Sequence, residues 1–128
     1  ATIGLSQMPY LGKIINGHVD NGRFYDQEIH NTYIKKLRND SDKESAYWIY
    51  SILVDHPQEL KGHLAQHGIA SDVVHVRNDQ YSVFKEYRSE GLKGCDYFCS
   101  SLLNIPVGWW VTPQHREHIV ATLNDWRK

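Results

Sequence analysis

Apolar residues recur every three or four positions along the first forty residues of the chain, and glycines interrupt the pattern at intervals. This spacing predicts one long helix that carries a single apolar stripe. Glycine lowers the stability of a helix interior by about 1 kcal/mol relative to alanine, so we expect this helix to be stabilised mainly by packing against other parts of the protein. The stripe consists of Met8, Leu11, Ile15, His18 or Val19, Tyr25, Ile29, Tyr33 and Leu37.

Three later segments predict β-strands. Residues 46–54 are apolar on both faces, which is typical of a central strand that helices cover. Residues 69–76 predict a second strand, and residues 103–107 predict a third that ends at Gly108. The sheet is therefore expected to be small, with three strands.

Local signals predict helices between and after these strands. Pro57 suits the first turn of one helix, and Gly68 suits the left-handed residue that stops it. Thr112 followed by Pro113 predicts the start of the last helix. Shorter helices are predicted within residues 78–86 and at residues 96–102. The order α-β-α-β-α-α-β-α indicates an α/β (α+β) fold, in which a long N-terminal helix precedes a small three-stranded sheet covered by helices.

Composition narrows the classes of partner and the compartment. Fifteen acidic and fourteen basic side chains give a formal charge of −1, and the absence of a basic stripe argues against a nucleic-acid partner. The longest apolar runs, residues 47–54 and 105–111, are too short to span a membrane. Cys95 and Cys99 would lie one helical turn apart, a spacing poorly matched to a disulfide. A reducing, cytoplasmic setting is therefore expected.

Five segments, taken in order, carry a resemblance to a known family. Residues 1–8, ATIGLSQM, are similar to the A-x-x-G-L-x-Q-L segment that opens the long interdomain helix of DegT/DnrJ/StrS aminotransferases, and residues 23–26, RFYD, resemble its R-x-Y/L-D stretch. Residues 47–54, YWIYSILV, are similar to that family's first small-domain strand, H/Y-x-Y-x-I. Residues 60–69 match its L-x3-G-I elbow, and residues 104–107, NIPV, resemble its L-P-L/M-H close.

The resemblance implies a pyridoxal-phosphate enzyme with the aspartate-aminotransferase fold, which converts a nucleotide-linked keto-sugar into an amino-sugar and acts as a homodimer. Residues 1–37 would be the interdomain helix and residues 38–128 the small C-terminal domain. In the family, the lysine that forms the Schiff base with the cofactor lies in a large domain upstream. None of this chain's lysines stands in that motif: Lys13, Lys35, Lys36, Lys43, Lys61, Lys85, Lys93 and Lys128. We therefore expect no catalytic residue, no bound cofactor and no activity from this chain alone.

The loop after residue 69 occupies the place of a family segment, H-Y-x-x-x-H, that faces the sugar substrate. Here it reads H-V-R-N-D-Q-Y. The resemblance implies that His75, Arg77, Asn78 and Tyr81 line the substrate pocket, and arginine suits a bidentate grip on phosphate or carboxylate. The alternative is a turn in which Arg77 pairs locally with Asp79.

Two other sets of side chains could carry chemistry. Trp109 and Trp110 cannot both enter one core from an extended strand. One of them is expected to cover the substrate cleft or the large domain. The alternative is an ordinary half-buried aromatic lid. His63 and His67, like the pair His115 and His118, stand about one turn apart on predicted helices. A zinc site needs three or four ligands, so we expect exposed histidines and no metal.

A different class of function stays open beside the aminotransferase. The chain could be a free-standing, non-catalytic binding or oligomerisation module derived from a truncated aminotransferase gene. In that case the apolar stripe of the first helix would lack its large-domain partner, and the chain should form a homo-oligomer through this helix, since large apolar patches are rarely left bare.

Overall fold

The computed structural model describes residues 1–37 and 43–127. Its first helical region contains helix α1, a short 3₁₀ turn and helix α2, and two further 3₁₀ turns precede α4. The helices are α1 (Thr2–Gln7), α2 (Leu11–Glu28), α3 (Pro57–Gln66), α4 (Lys93–Ser101) and α5 (Pro113–Asp125), the 3₁₀ turns are Met8–Tyr10, Asn78–Gln80 and Ser82–Tyr87, and the strands are β1 (Lys35–Lys36), β2 (Tyr50–Leu53) and β3 (Leu102–Ile105).

The three strands of the described residues form one antiparallel sheet in the order β1-β2-β3. Tyr50 pairs with Ile105 and Leu53 with Leu102. Every residue of β3 is buried, whereas β2 alternates between buried and half-buried positions. The expected α/β class, with a small three-stranded sheet and a long N-terminal helical region, is confirmed.

The identity of one strand was predicted wrongly. Residues 69–76 contribute only an isolated bridge, in which Asp72 pairs with Asn104. Beyond this bridge the segment is bound to β3 by a side chain instead of by backbone pairing. Asn104 Oδ1 accepts a hydrogen bond from the Val74 N–H at 2.9 Å. The third strand is instead β1, two exposed lysines at the sheet edge. Lysine is a common edge residue, and it carries no apolar signal in the sequence.

The first helix is shorter than its apolar spacing predicts, because α2 ends at Glu28 rather than at Leu37. Ile29 is extended, with φ −80° and ψ 110°, and both Ile29 and Ile34 are buried in the core. Ile29 and Ile34 therefore follow the apolar pattern because they contact the core from an extended segment, and not because they lie on a helix. The division into residues 1–37 and 38–128 stays a prediction, and its boundary falls on residues 38–42, which lie outside the described residues.

The core lies where α2, α3 and α5 meet the sheet. Each of these elements contributes at least one side chain that is almost completely buried, so the small sheet is covered by helices as expected. The largest such side chains are Tyr25, Ile52, Leu60, Leu64, Leu102, Leu103 and Leu123.

Two buried asparagines, one in α2 and one three residues after its end, attach α5 to the N-terminal part of the chain. The Asn21 amide donates hydrogen bonds to the carbonyls of Gly108 at 3.1 Å and Val111 at 3.0 Å, with a longer contact to Val107 at 3.4 Å. These acceptors form the loop that leads from β3 into α5. Asn21 thus fixes the entry to α5 from a position 86 to 90 residues earlier in the chain.

The second asparagine binds the other end of the same helix. The Asn31 amide donates to the carbonyls of Leu123 at 2.7 Å and Trp126 at 2.8 Å. These groups belong to the last turn of α5, whose carbonyls have no partners within the helix. Together Asn21 and Asn31, which we call the asparagine clamp, hold both ends of α5 against one segment of the chain.

The close approach of α2 to the residues before β2 depends on a missing side chain at Gly22. A Cβ atom added there would lie 2.2 Å from the Tyr47 ring, far inside van der Waals contact. Gly22 therefore allows an aromatic ring to pack directly on the helix backbone.

We expect the Asn21→Ala substitution to lower the free energy of unfolding by about 2–4 kcal/mol, because it removes the amide that bonds to the carbonyls of Gly108 and Val111 in a buried position. Chemical denaturation monitored by circular dichroism measures this loss. Asn16→Ala, at an exposed position of the same helix, is the matched control and should stay within about 0.5 kcal/mol of the parent chain. Equal losses in the two variants would contradict the clamp.

We expect the Gly22→Ala substitution to destabilise the fold by about 1–3 kcal/mol, since the new methyl group must displace the Tyr47 ring. Gly12→Ala, in the same helix but with no atom within 4 Å of the added Cβ, should stabilise it by about 0.5–1 kcal/mol through helix propensity. Thermal unfolding of both variants tests this prediction. We expect the unfolding midpoint to fall for Gly22→Ala and to rise for Gly12→Ala. A stabilising Gly22→Ala would show that the ring contact is unimportant.

Candidate functional site

The loop that follows α3 is attached to the sheet through one polar side chain. Asn104 in β3 accepts from the Val74 N–H and donates from its amide to Ser51 Oγ at 2.7 Å. Asp72 also exchanges backbone hydrogen bonds with Asn104, at 2.8 and 3.2 Å. The start of the predicted substrate loop is therefore fixed, and its outer part projects from the sheet.

The four residues predicted to line a substrate pocket do not share one pocket among the described residues. Arg77 and Asn78 line a groove of about 200 Å³ together with Tyr87 and Cys95. His75 lies outside this groove, and the centroid of its ring is 6.0 Å from the centroid of the Trp48 ring. Tyr81 is 54% exposed and does not line this groove.

The guanidinium of Arg77 is bound by two carboxylates. It donates to both oxygens of Asp79, at 2.9 Å from Nε, and also to Asp96 in α4. The hydrogen bonds to Asp79 raise the pKa of Arg77 above its usual range and lower the pKa of the Asp79 carboxyl. This geometry matches the local Arg77–Asp79 turn. These three bonds use three of the five N–H donors of the guanidinium and place two negative charges beside it.

A cluster of two tyrosines around one aspartate lies at the junction of α2 and β2. Tyr47 and Tyr50 donate from their hydroxyls to the two carboxylate oxygens of Asp26, at 2.5 and 2.6 Å. Their rings stack with centroids 6.1 Å apart. The cluster borders a cavity of about 220 Å³ that Ser45 and Ser51 also line.

Tyr47 has an unusual backbone conformation. Its φ of 46° lies in the left-handed region, which costs a residue with a side chain about 1–3 kcal/mol. The contact with Gly22, the bond to Asp26 and the hydrogen bond between His18 and the Tyr47 carbonyl at 2.9 Å hold it there. Sequence reasoning missed this cluster because no spacing signal connects position 26 with positions 47 and 50.

Burial changes the acid–base properties of two phenols in this region. Desolvation raises the pKa of Tyr25 well above its ordinary value of 10, and its hydroxyl donates to the Pro106 carbonyl at 2.8 Å. Burial likewise raises the pKa of Tyr50, and its hydrogen bond to Asp26 raises it further. Both phenols therefore stay protonated and act as hydrogen-bond donors.

Neither member of the Trp109–Trp110 pair enters the core. Trp109 is 48% exposed and Trp110 is 62% exposed. Trp110 lines a groove of about 470 Å³ together with Trp48, Ser71 and other residues, which we call the tryptophan groove.

The histidine pairs make contacts with the backbone. The His63 and His67 rings lie 4.5 Å apart, and each is in hydrogen-bond contact with a carbonyl: His63 with that of Thr122, and His67 with that of His63. His118 contacts the His67 carbonyl in the same way. Over residues 1–37 and 43–127, no three histidine, cysteine or acidic side chains are grouped so that they could hold a metal ion.

The described lysines do not form a site for pyridoxal phosphate. A Schiff-base lysine must point into an enclosed pocket beside the cofactor, whereas these lysines lie at or near the surface. Lys35 donates to the Tyr97 hydroxyl, Lys36 to backbone carbonyls and Lys61 to Asp72. The lysines within residues 1–37 and 43–127 therefore do not fit the covalent part of a cofactor site.

Comparisons with known proteins point to sugar aminotransferases. The model of the DegT/DnrJ/EryC1/StrS aminotransferase family matches residues 1–124. The crystal structure of a sugar aminotransferase from Micromonospora echinospora is 33% identical over 97% of this chain, with a TM-score of 0.91. The AtS13 protein from Actinomadura melliaura is 28% identical over 98% of this chain, with a TM-score of 0.90. No curated protein sequence matches the chain.

The match covers nearly all of this chain but about a third of each relative. The chain spans 34% of the length of both of these structures. The same share holds for the Helicobacter pylori aminotransferase involved in the biosynthesis of pseudoaminic acid, which is 19% identical over 94% of this chain with a TM-score of 0.82 and supports the fold alone.

No helix in the described part of the chain is both long enough and apolar enough to cross a bilayer.

We expect the protein to lose stability above pH 10. An unfolded tyrosine ionises near pH 10, whereas Tyr25 and Tyr50 stay protonated in the fold, so the folded state holds more protons and the unfolding free energy falls as pH rises. The slope should reach about 1.4 kcal/mol per pH unit for each phenol. Denaturation between pH 8 and 11 measures it. Tyr25→Phe and Tyr50→Phe should each flatten the curve, and Tyr81→Phe, at an exposed position, should not.

Proposed function

We propose that this chain, which belongs to the DegT/DnrJ/EryC1/StrS aminotransferase family, is the interdomain helix and small C-terminal domain of a pyridoxal-phosphate enzyme that converts a nucleotide-linked keto-sugar into an amino-sugar. The observation that supports this most is the 97% coverage of the chain by a sugar aminotransferase with a TM-score of 0.91, of which the chain represents 34%.

The cofactor would be held by the part of the enzyme that corresponds to the remaining length of these relatives. Aminotransferases of this family use pyridoxal phosphate, which serves as an electron sink once a lysine binds it. The surface positions of the described lysines support placing that lysine outside this chain. The 128 residues by themselves would therefore bind no cofactor and catalyse no transamination.

The N-terminal helical region would pack against that missing large domain. Its apolar side chains are bare here, with Ile3 exposed to 81%, Leu5 to 71% and Met8 to 60%. A monomer rarely leaves so many neighbouring apolar side chains in water. The core begins further along the chain, at Tyr25, so these side chains are free for an external partner.

The loop of residues 75–81 would contribute to sugar binding when the large domain closes the site. His75, Asn78 and Tyr81 are exposed, and they are available to a ligand that approaches from outside the small domain. Arg77 would act mainly by fixing the loop, since its guanidinium binds Asp79 and Asp96.

One observation favours a second candidate function, a non-catalytic oligomerisation module. The hydrophobic core is built from residues 25–126 and contains no residue of α1, so this core is buried without a large domain. In this case the bare face of α1 and early α2 would pair with a second copy of the chain. A homodimer would then form through this helix.

An assay of the complete gene product tests the proposed function. We expect the complete protein to show the visible absorbance of bound pyridoxal phosphate and to transfer the amino group of glutamate to a nucleotide-linked keto-sugar. The 128-residue chain should show neither, since the proposal places the Schiff-base lysine in another part of the enzyme. Sedimentation of the isolated chain tests the alternative. If the complete gene product binds no cofactor and the isolated chain forms a stable dimer, the oligomerisation module is supported and the enzyme is not.

A further inference from the structure

The two cysteines of the chain lie side by side on α4. The Cys95 and Cys99 sulfurs are 4.0 Å apart, and both thiols are free. Residues four positions apart share one face of a helix, so α4 by itself holds the two sulfurs next to each other. Cys95 is exposed and Cys99 is half-buried, which places the pair at the protein surface.

A disulfide does not suit this pair. It needs Cβ atoms about 3.8 Å apart, whereas residues four positions apart on a helix hold theirs about 5–6 Å apart. Closing the bond would therefore distort α4, which also carries the partners of Arg77 and Lys35. We expect both thiols to stay reduced in the folded chain.

An ion between the two sulfurs fits the undistorted helix. A metal–thiolate bond is about 2.3 Å long, so two such bonds in line separate their sulfurs by about 4.6 Å. The observed separation of Cys95 Sγ and Cys99 Sγ, 4.0 Å, is close to this span. Small rotations of the two side chains supply the difference without moving the backbone of α4.

The number of ligands limits the kind of ion. Over residues 1–37 and 43–127, the cysteine pair belongs to no group of three or more histidine, cysteine or acidic side chains that could hold a metal. The neighbouring carboxylate of Asp96 is bound by Arg77. A zinc site needs three or four ligands. Thiolates favour soft ions such as Cu(I), which accepts two ligands in line.

The charge beside the pair also suits this ion. Two thiolates and one Cu(I) ion carry one net negative charge, and the guanidinium of Arg77 lines the same groove as Cys95. Burial and the hydrogen bond with Cys95 raise the pKa of the Cys99 thiol, while the positive charge of Arg77 lowers it. Metal coordination requires thiolates, so each thiol gives up its proton when the ion binds.

We propose that Cys95 and Cys99 form a two-thiolate binding site for Cu(I). Each sulfur donates an electron pair to the ion, both S–H protons go to solvent, and no group is oxidised or reduced. The bound ion links successive turns of α4. Because α4 alone supplies both sulfurs, the site does not depend on the proposed aminotransferase function.

Anaerobic titration of the 128-residue chain with Cu(I) held by the coloured chelator bicinchoninate tests the site. We expect each chain to withdraw one Cu(I) ion, measured as loss of the colour of the chelator complex. Cys95→Ser and Cys99→Ser should each lower the affinity about a hundredfold or more, since a single thiolate loses the advantage of two linked ligands. Circular dichroism checks that each variant is folded.

A displaced thiol provides the matched control for the geometry. The double variant Cys99→Ser/Ser100→Cys keeps two thiols, and position 100 is exposed, but the second sulfur is turned by about 100° around the helix axis. It should bind Cu(I) as weakly as the single-thiol variants. His67→Ala disrupts the histidine pair on α3 and should leave the affinity unchanged.

The dependence on pH identifies the ligands. Release of two protons should raise the affinity for Cu(I) about a hundredfold per pH unit below the ordinary thiol pKa of about 8.5, once the chelator's own pH dependence is subtracted. Imidazole ligands are already neutral above pH 7, and they would give almost no slope between pH 7 and 8.

Four results would overturn the proposal: no withdrawal of Cu(I) from the chelator, unchanged affinity in Cys95→Ser, unchanged affinity in the displaced-thiol variant, or a flat pH dependence between pH 7 and 8. Zinc provides a further check with the metal alone. Binding of zinc that is tighter than that of Cu(I) would indicate a larger ligand set and would likewise exclude the two-thiolate site.

Discussion

Two side-chain amides on one segment hold a helix that lies almost a hundred residues later in the sequence, and the arrangement of the small domain depends on them. Asn21 binds the loop before α5, and Asn31 binds its last carbonyls. Hydrogen bonds of this kind have a modest net value when they are made, but leaving their buried partners unsatisfied is costly. The clamp therefore selects one position of α5 over the many that apolar packing alone would allow, and Trp110 is placed as a consequence.

A different kind of contact joins α2 to the residues before β2. Tyr47 packs on Gly22, bonds to Asp26 and has a left-handed backbone conformation. The conformational cost at Tyr47 is offset by these contacts, which hold the residues that precede β2 on the helix. Contacts of α2 thus position both tryptophans of the tryptophan groove, since Trp48 follows Tyr47 and Trp110 lies within the loop that Asn21 binds.

Local signals in the sequence predicted those parts of the fold that depend on neighbouring residues. The start of α5 follows from Thr112, whose hydroxyl accepts from the His115 N–H, and the end of α3 is followed by Gly68 at φ 73°. The end of α2 could not be predicted, because Ile29 and Ile34 keep helical spacing while the chain is extended. Strand β1 has no apolar residue to reveal it. Within the candidate site, the pairing of Arg77 with Asp79 is local and was one of the two alternatives that the sequence left open, whereas the bond of Arg77 to Asp96 joins residues 19 positions apart. Trp48 and Trp110 come together only through contacts of α2.

The atoms that the clamp recognises also affect how the domain can change in evolution. Asn21 contacts carbonyl oxygens of Val107, Gly108 and Val111, groups that every amino acid has. Most exchanges of the exposed side chains in this loop would therefore leave its path intact. Positions 109 and 110 are then free to drift in size and polarity while the scaffold beneath them stays constant, which gives a lineage a way to acquire new ligand preferences without risking the fold.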